Sequence, residues 1–69
     1  MSDLELMEGT LMSMIKELRD ICEATLNNGF CDYDTACEMA RLAADILRLK
    51  EQMIKKESTN LLNKLLKQP

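Results

Sequence analysis

Asn27-Asn28-Gly29-Phe30-Cys31-Asp32 is the stretch on which the fold turns. Glycine takes the left-handed conformation that ends a helix at no steric cost, and asparagine is the next best residue there. Asp32 carries the short carboxylate that caps a helix start, and Asp34 would lie in the first turn, where negative charge suits the dipole. Thr35 with Glu38 is a rival capping box that would start the same helix later. In both readings the connection is about four to five residues, short enough to make the flanking helices antiparallel neighbours. Phe30 is expected to plug the end of the hairpin.

Upstream of the turn, Leu4, Met7, Leu11, Met14, Leu18, Ile21 and Thr25 recur at alternating spacings of three and four. This is the a/d pattern of a helix packed along a seam. Ile15, Cys22 and Leu26 widen the seam toward the broader stripe of a bundle helix. Ser2 or Asp3 can cap the start, and Asp3 and Glu5 suit the positive end of the dipole. Gly9 costs about 1 kcal/mol relative to alanine, yet the stripe runs straight through it. A helix over about 3–27 and a turn over 28–32 follow.

Downstream, a helix over about 33–57 reads on two adjacent rows. Met39, Leu42, Ile46, Leu49 and Met53 form a strict a/d row; Ala36, Ala40, Ala43, Leu47 and Ile54 form a second beside it. With Tyr33 they cover half the circumference or more, wider than a two-helix seam needs. Alanines at 36, 40, 43 and 44 would let another helix approach closely. Glu38, Arg41, Asp45, Arg48, Gln52 and Lys55 make a charged outer face, with Arg41–Asp45 and Glu51–Lys55 at helix-supporting spacing. Lys50 sits inside the apolar arc, where it either pairs with Glu8 or runs its charge outward along an aliphatic stem.

From Lys55 to Asn60 no apolar residue occurs, and then Leu61, Leu62, Leu65 and Leu66 return at helical spacing. The segment 58–67 is either a continuation of the second helix or a short third helix after a break near 58. Continuity is preferred because proline and glycine are absent from 30 through 68. A first helix of about 24 residues spans some 36 Å. Its partner then draws level with Met1 near residue 58, and Leu61 to Leu66 overhang.

Composition agrees with an all-α chain: 46% of its 69 residues are hydrophobic, Phe and Tyr occur once each, and Trp is absent. At this length there is one domain at most, burying only about 60% of the surface its unfolded chain exposes. The net charge of −3 argues against general nucleic-acid binding, which displaces counterions with a positive surface. No apolar run approaches the ~20 residues that cross a bilayer. The acidic start lacks the basic region of a signal peptide, so a cytoplasmic protein, or one in a host cytoplasm, is expected.

Chemistry is sparse. There is no histidine, no glycine-rich phosphate loop and no nucleophile motif. Cys22, Cys31 and Cys37 are odd in number and show no Cys-x-x-Cys spacing, so free thiols acting as small hydrophobes are expected. Asp32, Asp34 and Glu38 lack the ligand rhythm of an EF-hand, and capping explains the aspartates more simply. No cofactor, metal or catalytic residue is expected, and the chain reads as a non-enzyme.

Ile15-Lys16-Glu17-Leu18-Arg19, followed by Gly29 and a second helix, resembles over about 35 residues the small hairpin phosphatases of the sporulation phosphorelay. The resemblance implies a helical hairpin and, as an alternative function, phosphoryl handling. That family's Ser-Gln-x-Leu-Asp signature would fall where Ala40-Arg41-Leu42-Ala43-Ala44-Asp45 stands, so its activity is not carried over. The size and hairpin layout are also similar to small type III secretion co-chaperones, at the level of fold alone.

Two wide apolar stripes and a leucine tail exceed what one hairpin can bury. The sequence therefore predicts a helical interaction module, a small adaptor, chaperone or regulator of the kind a phage or mobile element carries. It would close as a homodimeric four-helix bundle; a three-helix monomer with the tail as a lid is the alternative, and an obligate heteromer the third. The expected association residues are Ala36, Ala40, Ala43, Leu47, Ile54, Leu61, Leu62, Leu65 and Leu66. A second functional reading takes the basic tail, with Lys55, Lys56, Lys64 and Lys67, to a membrane surface or a nucleic acid.

Overall fold

The computed structural model describes residues 2–67, and these form two helices, α1 (Asp3–Asn28) and α2 (Tyr33–Leu66), packed against each other. Three of the four helix ends have a local cause. The Ser2 hydroxyl accepts from the Glu5 backbone N–H at 3.2 Å while the Glu5 carboxylate accepts from Ser2, a reciprocal capping box. At the far end Gly29 stands at φ 79°, and its N–H donates to the Thr25 and Leu26 carbonyls. A residue with a Cβ is strained at that angle.

Asp32 starts α2 by accepting the Thr35 N–H at 2.7 Å. Thr35 is therefore inside the helix rather than its cap, and the later start offered by the Thr35–Glu38 box is not used. The aspartate wins because it sits nearest the turn and leaves α2 three residues longer. Between the caps, Phe30 lies open to water, 70% exposed. The expected plug does not form: Gly29 turns the chain before Phe30 can reach back between the helices.

The intramolecular seam consists of the two a/d rows. Leu4, Met7, Leu11, Met14, Leu18, Ile21 and Thr25 of α1 are each half-buried, and Thr35, Met39, Leu42, Ile46, Leu49 and Met53 face them. Leu42 and Met53 are the most enclosed, at 8% exposure. Near the turn the Cys22 thiol approaches the Met39 sulfur at 3.5 Å; at the other end the Lys56 ammonium donates to the Asp3 carboxylate at 2.9 Å. Those two contacts fix the antiparallel register. Met1 lies outside the described residues, and Asp3 is level with Lys56.

α2 does not break at Ser58. Nothing in 58–60 forbids helix, since the polar residues there face solvent and lack only a packing partner. The third helix of the lid alternative is therefore absent among the described residues. Beyond Lys56 about ten residues of α2 project past the start of α1, roughly 15 Å of unaccompanied helix. The molecule measures 61 × 20 × 13 Å, the proportions of a rod.

Candidate interaction surface

At about 100° per residue, the row Ala36, Ala40, Ala43, Leu47, Ile54 lies about 80–140° around α2 from the seam. Ala43 is half-buried at the edge of α1, Ala36 and Ala40 are exposed, and Leu47 and Ile54 are 67% and 53% exposed. Leu61 and Leu65 fall at the same angle and prolong this row into the overhang. Leu62 borders it, and Leu66 lies about 110° away on the outer side. All four tail leucines are more than half exposed.

The overhang does not extend the seam. Continuing the Met39-to-Met53 row past Lys56 lands on Asn60, Asn63 and Lys67, all exposed and all polar. Packing against α1 is thus no longer encoded where α1 ends, while the outer row persists to Leu65. The leucines belong to that second surface.

α1 contributes to the same side. Because the helices are antiparallel, an equal rotation away from the seam brings residues of both to one face of the hairpin. Met12, Ile15 and Leu26 of α1 lie on that face, all exposed. Ile15 and Leu26 were expected to widen the seam; with one partner helix there is nothing for them to pack on. The opposite face carries Glu17, Asp20, Arg41, Asp45, Arg48 and Gln52, all exposed except the half-buried Asp45. Exposed Glu8 and Arg19 share the first face and exposed Leu6 lies on the second, so the two sides of the hairpin differ in bias: on α2 the outer row is apolar and the opposite flank charged.

Ion pairs follow the charged side and the open end. Arg48 donates to Asp45 at 3.4 Å, a competitor three residues away that replaces the expected Arg41–Asp45 pair. Glu51–Lys55 is not formed either, and Lys50 is exposed without a bridge to Glu8. Lys50 is rotated about 60° out of the seam, so its ammonium reaches water directly. The Asp3–Lys56 pair was not anticipated, although counting the antiparallel register back from the turn would have found it. Hydrogen bonding from Lys56, then its charge, holds the Asp3 carboxyl below its ordinary value of 3.8. The Thr35 side chain and then its backbone N–H do the same for Asp32.

Reactive groups are scattered. Cys22 is half-buried, whereas Cys31 and Cys37 are exposed free thiols rather than packed hydrophobes. Among the described residues no three Cys, Asp or Glu side chains converge on a metal-sized point, and no helix is long and apolar enough to cross a membrane. No family model, curated protein or solved structure matches the chain.

Proposed function

We propose that this chain is a non-enzymatic protein–protein interaction module that self-associates through its apolar side and leaves its charged side for another protein. The role fits a small adaptor, chaperone or regulator. The observation that carries the reading is the exposed apolar row along α2, anchored by Leu47 and Ile54. Polar positions at Lys50, Glu51 and Ser58 punctuate the row, but large apolar side chains exposed along one helix flank are the mark of an interaction surface. Covering each large side chain in the row contributes on the order of 1–2 kcal/mol. The alanines beside them let a neighbouring helix come close enough to do so.

The test is Leu47→Glu with Ile54→Glu, compared with wild type by sedimentation velocity and circular dichroism. Neither side chain belongs to the seam, so the variant keeps its helical signal. The expected outcome is a wild type heavier than one chain and a variant that sediments as one chain. Equal sedimentation of the two, as single chains, would remove the proposal.

A further inference from the structure

We infer that Asn28 is a site of spontaneous covalent self-modification, in which the Gly29 backbone nitrogen attacks the Asn28 side-chain amide when the last turn of α1 opens. Asn28-Gly29 is the one asparagine–glycine pair in the chain; Asn27, Asn60 and Asn63 precede Asn28, Leu61 and Lys64. The distinction is steric. A backbone nitrogen acting as nucleophile is hindered by the side chain of its own residue, and glycine has none. The surroundings of Gly29 add no hindrance, since no heavy atom beyond its chain neighbours lies within 4 Å of where a Cβ would stand.

The reaction consumes one water and releases one ammonia. The Gly29 nitrogen loses its proton to solvent hydroxide as it bonds to Asn28 Cγ. The bond from Cγ to Nδ2 breaks, and Nδ2 leaves as ammonia with a proton returned by water. A five-membered cyclic imide then joins the two residues, and a water cleaves one of its two C–N bonds. Cleavage at Cγ gives aspartate on an unchanged main chain. Cleavage at the residue 28 carbonyl carbon gives isoaspartate, with the main chain rerouted through Cγ and one methylene longer.

The folded turn holds this reaction back. Asn28 is the last residue of α1, and the Gly29 N–H donates to the Thr25 carbonyl at 3.1 Å and to the Leu26 carbonyl at 3.3 Å. A proton held in hydrogen bonds is harder to remove. Ring closure also requires Asn28 to rotate out of the helical backbone well, which breaks both bonds. Opening costs little packing, because Thr25 is the last half-buried residue of α1 and every residue from Leu26 through Asp34 is exposed. The turn therefore opens locally while the seam stays closed.

The products do not restore the turn. Either one places a carboxylate at the negative end of the α1 dipole, where the last turn holds no basic residue. Isoaspartate also displaces the Gly29 nitrogen by the inserted methylene, so its bonds to Thr25 and Leu26 are lost together. Modification is thus a one-way loosening of the hairpin turn, set by elapsed time rather than by a partner.

The experiment incubates full-length chain at neutral pH for several days, folded and in concentrated urea, and follows each asparagine by peptide mass spectrometry. In urea, the expected result is a gain of one mass unit at Asn28 at least tenfold faster than at Asn27, Asn60 or Asn63. The product is a mixture of aspartate and isoaspartate, and Gly29→Ala slows its formation at least tenfold in the same urea. Folding slows the wild-type reaction at Asn28 at least fivefold without stopping it. Equal rates at the four asparagines overturn the site. Aspartate without isoaspartate overturns attack by Gly29, because direct hydrolysis forms no imide. Equal rates in folded and unfolded chain overturn the protection by the turn, and no gain at all in folded chain overturns its local opening. Asn28→Asp tests the consequence: a lower thermal midpoint than wild type is expected, and an unchanged one contradicts the loosening.

Discussion

Two glycines in α1 and at its end have opposite consequences. Gly29 holds a left-handed angle that an alanine adopts only at a cost of about 1–2 kcal/mol. Gly9 stands mid-helix with open space around the position of a Cβ, where alanine is about 1 kcal/mol better. Urea unfolding followed by circular dichroism should therefore show Gly29→Ala destabilised and Gly9→Ala stabilised. A second residue-level expectation concerns acid. Asp3 and Asp32 have carboxyls held below 3.8, so the stability they supply is complete above that value and lost as pH falls through the lowered values. Asp32→Asn keeps a capping side chain that does not titrate. A pH series of thermal melts should show a smaller loss below 3.8 for this variant than for wild type, and the same midpoint difference throughout pH 5 to 7.

At the level of the helices, the seam is carried by Leu42 and Met53. Leu42→Ala should cost about 2–3 kcal/mol by urea unfolding, the lower part of the range for truncation in a core, because a two-helix seam closes partly around the gap. Much of this level was legible from residue spacing. The a/d rows from Leu4 to Thr25 and from Met39 to Met53 define the packed seam because a helix repeats its face every three to four residues, and the Asn28-Gly29 and Asp32 caps act within a few bonds. Phe30, Ile15 and Leu26 were misread for one reason. Hydrophobicity states that a side chain gains from cover, not whether the fold supplies any. The ion pairs were misread because exposed charges choose among several partners of similar energy, as Asp45 does between Arg41 and Arg48. The uninterrupted passage of α2 through Ser58–Asn60 was legible only as an absence of proline and glycine.

For the whole molecule, a rod 61 Å long and only 13 Å thin cannot enclose both rows of α2, and its interior amounts to one line of interdigitated side chains. The candidate surface was legible as an excess: Ala36, Ala40, Ala43, Leu47 and Ile54 form a second apolar row that one partner helix leaves uncovered. The association of Leu61 and Leu65 with that row, and the outward position of Leu66, became visible only once α2 proved continuous, because a break would have changed the angular phase. The antiparallel arrangement brings Met12, Ile15 and Leu26 of α1 to the same side as the outer row of α2, although Glu8 and Arg19 share that flank of α1. The most direct measurement is solution mass by light scattering across a concentration series of the full chain. A mass rising from the 7.9 kDa of one chain to twice that value, and holding there, is the predicted result. A mass of one chain at every concentration, with the helices intact by circular dichroism, would contradict self-association through this face.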